Sequence, residues 1–273
     1  MTNCRFRLAR LHRIRGLSSK LLTCGIKNGM IWTHMSDDAS PKQVLQNFLG
    51  QYPTKTFKKG EIIIFQGEAP RSGYVVKTGT IKAYNLSVSG DEKPVSFYSD
   101  LEVFPASWVY GKIPSAVYYY EAFTSDVTLY TINREEYVTF IKSNPAVAFA
   151  ELEHSVVDQL GKSMRLNALQ HSRASDKLLY TLHYLALSHG RTVGPQQIEI
   201  TLDLTHQDFA NLTGLTRETA ATELNKLKHR GVISYGKNVP YKLDLAKLMS
   251  VLNDQYISDM QISLWVNKHL KCW

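Results

Sequence analysis

The feature that most constrains the fold of this chain is a change of texture at Ile132. From Phe57 to Ile132 the sequence is rich in β-branched and aromatic residues and is cut at short intervals by glycine. Glu61–Phe65, Tyr74–Lys77, Thr80–Leu86, Val95–Tyr98, Tyr118–Phe123 and Val127–Ile132 are strand-length runs, and Gly60, Gly67, Gly73, Gly79 and Gly90 fall between them. Short strands with turn residues in the gaps predict a barrel or sandwich, not a β-α-β sheet. A short helical segment around Lys42–Leu49 precedes this stretch.

Beyond Ile132 the spacing turns helical. Arg134–Ser143 reads as a short helix, and Pro145 suits the first turn of a longer one reaching about Leu169. Phe149, Leu152, Val156, Leu160, Leu166 and Leu169 give that helix an apolar face at spacings of three and four. The face fits a dimer helix pressed against its twin, or an ordinary helix packed on its own domain; Gln159, Ser163 and Asn167 interrupt it.

Several classes fall away on composition. No stretch approaches the roughly 20 consecutive apolar residues of a membrane span. Cys4, Cys24 and Cys272 sit at the two ends without a C-x-x-C pair, which excludes a disulfide scaffold and a four-thiolate metal site within one chain and makes the cytoplasm the expected compartment. No Gly-rich phosphate loop supports a nucleotide-hydrolysing or dinucleotide-binding enzyme. The net charge of +8 sits mostly in the tail. Of the 32 Lys and Arg, seven (Arg5, Arg7, Arg10, Arg13, Arg15, Lys20 and Lys27) fall in acid-free residues 1–34, leaving 25 against 24 Asp and Glu elsewhere. That tail, with a weak helical stripe of Leu8, Leu11, Ile14 and Leu17, reads as a start upstream of the true one at Met30 or Met35, as a targeting presequence, or as a surface-binding arm. None of these makes it part of the fold.

The most informative segment lies further on. Thr205 is a good helix cap with Asp208 three residues later, and Phe209 and Leu212 share one face. Thr213-Gly214-Leu215 follows as a three-residue turn whose glycine supplies the left-handed conformation between two steeply crossing helices. Thr216 caps the second helix, which turns Ala220, Leu224 and Leu227 inward and presents Arg217, Glu218, Thr222 and Lys226 outward. In a helix that enters a major groove, an Arg near the N-terminus can make a two-pronged contact to guanine, and a Glu can accept from the cytosine amino group. His206 and Gln207 are placed to hold backbone phosphates. Val232–Gly236 and Pro240–Leu243 read as a hairpin, the wing of a winged helix. A generic helical hairpin is the plain alternative.

The order of these parts resembles the Crp–Fnr family of bacterial transcription regulators. The most specific match is Gly214-Leu215-Thr216-Arg217-Glu218-Thr219-Ala220, similar to the family's entry to its recognition helix, followed by Leu224, Leu227, Gly231 and Ile233. Phe57–Glu68 and Tyr74–Ile81 are similar to its first β-roll turns. The resemblance covers roughly Val44 to Leu243. It implies an α+β chain with a jelly-roll-like β-roll effector domain (41–145), a long dimerisation helix (146–171) and a winged helix-turn-helix domain (172–243); the C-terminal helical extension (244–273) lies outside it. It also implies a homodimer on a palindromic operator of double-stranded DNA, with RNA polymerase as a further partner. Arg217 and Glu218 match the base-reading pair, and His206 and Gln207 match positions that touch backbone or flanking bases. Thr222 stands where the family often has a second base-reading side chain, which implies a different half-site.

Cyclic-nucleotide-binding members carry Gly-Glu for the ribose and Arg-Ser for the cyclic phosphate, since a buried phosphate needs a charged partner. Here Pro105-Ala106 and Ala116-Val117 stand there, so cyclic AMP is not the expected effector. Phe104, Ser107, Ala116, Val117 and Tyr119 mark the pocket stretch, and Lys162 and Ser163 align with ligand-meeting positions on the long helix. The rings there either receive a hydrophobic ligand or simply fill the barrel. No cofactor, metal or membrane partner is expected, and the effector is unnamed. Leu245, Leu248, Met249, Leu252 and Tyr256, with Met260–Leu270 beyond, predict one or two terminal helices or a partner-binding element. The alternative function is a small-molecule sensor whose winged helix mediates protein contacts; no nucleophile–base pair or metal spacing supports an enzyme.

Overall fold

Strands cut by glycine build the first layer of the structure, a computed structural model that describes residues 23–27, 30–34, 39–237 and 239–252. The chain divides into two units, Met1–Ser40 and Pro41–Trp273. In the first, β1 (Thr23–Lys27) and β2 (Met30–His34) pair as an antiparallel hairpin with Thr23 opposite His34. The stripe from Leu8 to Leu17 lies outside the described residues.

The second unit opens with α1 (Pro41–Leu49), then runs through β3 (Thr54–Phe57), β4 (Ile62–Ile64), β5 (Gly73–Thr78), β6 (Ile81–Leu86), β7 (Glu92–Tyr98), β8 (Val103–Phe104), a short α2 (Ala106–Val109), β9 (Tyr119–Ala122) and β10 (Val127–Ile132). Two antiparallel sheets result, ordered β3-β10-β5-β8 and β4-β9-β6-β7. Between them lie Ile64, Val76, Ile81, Phe104, Tyr120 and Leu129, all buried. Gly79 makes the turn from β5 to β6 at φ +87°, and a Cβ there would stand 2.9 Å from Val127, so both the backbone and the space require glycine. β7 begins at Glu92, three residues before the expected start, and takes in Pro94. It is an edge strand, where a missing N–H removes no ladder bond.

α3 (Arg134–Ser143) is capped by Asn133, whose side chain accepts from the Glu136 N–H. α4 (Pro145–Gln170) is the long helix, with Pro145 in its first turn. Tyr137, Ile141 and Val147 close a second core with Leu45, Leu49 and Ile132.

Then follow α5 (Ala174–His189), β11 (Gly190–Gly194), β12 (Gln197–Ile200), α6 (His206–Thr213), α7 (Arg217–His229), β13 (Ile233–Gly236), β14 (Val239–Asp244) and α8 (Leu245–Leu252). The wing read from the sequence as a two-stranded hairpin is half of a four-stranded sheet, β11-β12-β14-β13. α5 packs against β11 and β12 of this sheet and is buried nearly all round, from Leu178 to Leu187. It crosses α4 at Gly161, where a Cβ would lie 3.1 Å from Ser188 Oγ and 3.2 Å from the Tyr184 ring. The core of this half also takes in Phe97 of β7 and Phe123, residues of the β-roll half. Of the terminal extension, α8 is described; Tyr256 and Met260–Leu270 lie outside the described residues.

Candidate nucleic-acid interface

The site is made by two helix starts and one turn. Thr205 caps α6 through a reciprocal box: its hydroxyl accepts from the Asp208 N–H at 3.2 Å, and the Asp208 carboxylate accepts the Thr205 N–H at 2.7 Å. Phe209, Ala210 and Leu212 face inward. The helix ends on Gly214 at φ +67°, the left-handed geometry that closes a helix C-terminus. Two residues later Thr216 caps α7, accepting from the Thr219 N–H at 3.2 Å. α7 buries Ala220, Leu224 and Leu227 against the core, each leucine worth roughly 1.5–3 kcal/mol. Its outer face is thereby fixed: Arg217, Glu218, Thr222 and Lys226 are all exposed, as is the cap Thr216.

Around this tip the side chains differ in freedom. Lys226 is tied to Glu223 by an ion pair of 2.7 Å, whereas Arg217 and Glu218 stand at the positive end of the helix dipole. Gln207, exposed on α6, donates to Asn211 at 2.8 Å. His206 is half-buried against the wing, edge to face with Tyr235. Its imidazole is held below the ordinary value of 6.5, first by burial and then by the nearby Arg217 charge. Tyr235 stacks on Tyr241 at 4.5 Å, donates to Asn225 at 2.8 Å and carries the Lys228 ammonium over its ring. A groove of about 790 Å³ opens between the start of α6 and the wing, lined among others by Thr205, His206, Tyr235 and Lys237. Lys228, Tyr235 and Lys237 were missed in the sequence; the alternation of Tyr235 and Tyr241 across a hairpin was the available signal.

The residues expected around an effector are placed in the β-roll core, in α2, at β9 and on α4. Phe104 is fully buried, its ring 5.2 Å from Tyr120 and 5.7 Å from both Tyr74 and Tyr98. Ala116 is in the same core. Ser107 lies in α2, and its carbonyl accepts the Lys112 N–H. Tyr119 stacks on Tyr84 and meets Phe65, and Val117 beside it is half-buried. On α4, Ser163 is exposed and donates to the Gln159 carbonyl, while Lys162 is paired with Asp158. Lys162 alone of this set lines a cleft of about 820 Å³ between the β-roll, α4 and the start of β11. Glu151 in that cleft accepts from both Tyr110 and Tyr137, and burial together with this carboxylate pushes both phenols up.

Comparison with known proteins gives the same two halves. Residues 54–144 match the model of a cyclic nucleotide-binding domain, and residues 176–251 match that of a Crp-like helix-turn-helix domain. The chain is 25% identical over 196 residues to the cyclic AMP receptor protein of Thermus thermophilus, covering 69% of this chain and 82% of that one. It is 27% identical over 204 residues to the global nitrogen regulator of Nostoc sp., covering 74% and 91%. Among solved structures, a CooA variant of Carboxydothermus hydrogenoformans superposes with a TM-score of 0.62 at 21% identity, over 80% of this chain and 97% of that one, which is a likeness of fold.

Proposed function

The chain belongs to the Crp–Fnr family of transcription regulators, not to any enzyme class, and from that premise we propose that it works as a homodimer reading a palindromic operator with α7. The observation that carries this reading is the tip of α7: a Thr216-capped N-terminus presents Arg217, Glu218 and Thr222 outward, while its opposite face is spent on the core. Arg217 would take a guanine through two parallel hydrogen bonds, and Glu218 would accept from a cytosine amino group. His206 and Gln207, at the start of α6, would meet the phosphates and so set the register. Lys226, held by Glu223, would contribute at the far end of the helix.

Support for the dimer comes from α4. Phe149, Leu152, Val156 and Leu166 expose from 56% to 63% of their surface, an apolar stripe that one chain leaves uncovered. From Arg173 to Lys237 there are eight Lys and Arg against six Asp and Glu. Binding therefore leans on specific contacts and on two linked half-sites more than on a basic field.

Cyclic AMP is not the proposed effector. Neither Pro105-Ala106 nor Ala116-Val117 offers a guanidinium for a cyclic phosphate. The cleft holding Lys162 leaves room for a different small molecule. No helix among the described residues is long and apolar enough to cross a membrane, and the proposed compartment is the cytoplasm, with RNA polymerase the further partner of the bound dimer. Selection of bound sequences from genomic fragments tests the reading: a palindrome is expected, and recovery of no preferred sequence overturns it.

A further inference from the structure

Arg165, in the last third of α4, does something its sequence surroundings do not suggest. Its guanidinium donates to three carbonyl oxygens from two separate parts of the chain: Pro94 at 2.7 Å and Val95 at 3.3 Å on β7, and Leu212 at 3.1 Å in the last turn of α6. It also lies 5.8 Å from the centre of the Tyr184 ring on α5. Burial lowers its pKa, the Nε has no hydrogen-bond partner, and among the described residues no carboxylate pairs with it. A desolvated cation without a counter-ion is costly, and the forked planar geometry of arginine is what lets one side chain hold carbonyls on two elements at once.

The surroundings are built to the same end. One helical turn before Arg165, Gly161 lets α5 approach α4 to contact distance. Pro94, whose carbonyl takes the shortest of the three bonds, sits on the free edge of its sheet. Phe97, two residues after Val95, is edge to face with Phe123 at 5.1 Å and with His189 at 5.6 Å, within the core of the DNA-binding half. Leu212 is separated from the cap of α7 only by Thr213, Gly214 and Leu215. A single guanidinium thus joins the dimer helix and the β-roll edge to the element that aims α7.

We propose that Arg165 is a positioning residue that fixes the reach between the α4 seam and the reading helix, and so sets which spacing of half-sites the dimer accepts. The proposal rests on the operator-reading assignment above. Two reading helices must lie about one helical turn of DNA apart, ~34 Å. One inserted base pair shifts a half-site by about 3.4 Å and turns it by roughly a tenth of a turn. A head clamped at three points cannot follow that movement, while an unclamped head can.

The test is operator binding by the full chain, with the selected palindrome and with versions lengthened or shortened at its centre by one base pair. Wild type is expected to lose about 30-fold in affinity on either change. Arg165→Met, which keeps the stem and removes the donors, is expected to lose only about threefold while remaining dimeric by sedimentation. Arg165→Lys, a point donor on a similar stem, is expected to fall between them and carries the test if the Met variant does not fold. Full spacer discrimination in a folded, dimeric variant overturns the proposal. Arg217→Ala is run alongside: if it leaves operator binding intact, the operator-reading assignment itself fails, a result separate from unchanged spacing in the Arg165 variants.

Discussion

His206 and Tyr235 meet edge to face with ring centroids 5.6 Å apart, so the first helix of the reading unit and the first strand of the wing share a contact. Burial, and after it the Arg217 charge, holds this imidazole below its ordinary value. Phosphates brought alongside would offset the Arg217 charge and favour protonation, so operator binding takes up a proton. Operator affinity is therefore expected to rise as the pH falls from 8 towards 6, and the rise is expected to vanish in His206→Gln, as followed by fluorescence anisotropy at fixed salt. In the free protein the sign is opposite. A base whose folded value lies below its unfolded one binds fewer protons when folded, so it costs stability as the pH falls through 6.5.

Arg217→Ala is expected to cost about 1–3 kcal/mol of operator binding and to relax the preference at one base position in each half-site. Repeating the sequence selection with the variant shows both at once. A uniform weakening without any relaxed position would mark Arg217 as a phosphate contact.

Val156, 58% exposed in the middle of the α4 stripe, faces its own copy in the proposed seam. Val156→Lys places like charges against each other there and is expected to convert the dimer to monomers in light scattering. Loss of the second half-site should lower operator affinity by about 100-fold or more.

Gly190 closes α5 at an ordinary φ of −94°, so its requirement is space: a Cβ there would stand 2.0 Å from the Ala186 carbonyl oxygen and 2.5 Å from Ile198. Gly190→Ala is expected to destabilise by about 3 kcal/mol, read from the denaturant midpoint. An unchanged midpoint would mean that the start of β11 can move away from α5.

What was legible in the sequence was written in local chemistry. Thr205, Gly214 and Thr216 mark the helix-turn-helix because caps and left-handed turns need particular residues at particular positions. The glycines around the strands act in the same way. α5 was not legible: Leu178–Leu187 is buried around the whole helix, with Thr181 and His183 among its apolar residues, so no periodic contrast separates it from other buried segments. The hairpin of β11 and β12 turns on Pro195 and Gln196, with Gln196 at φ +69° where glycine would have announced the turn. Arg165 was hidden for another reason. Among Ser163, Met164 and Leu166 it reads as a solvent-facing helix residue, and its partners on β7 lie 70 and 71 positions earlier. Phe104 and Ala116, marked in the sequence by their pocket alignment, sit in the β-roll core, Phe104 among the rings of Tyr74, Tyr98 and Tyr120.

Phe97 and Phe123 belong by chain to the β-roll and by packing to the core beneath the reading helix, and from Pro41 onward the chain forms one unit. A chimera that joins this β-roll to a winged helix from a relative would therefore bring together two half-built interiors, each shaped to the other's missing wall. Such grafts should fold only when the two phenylalanines and their sockets travel together. The β-roll and the helix-turn-helix half of this chain are therefore inherited in one piece.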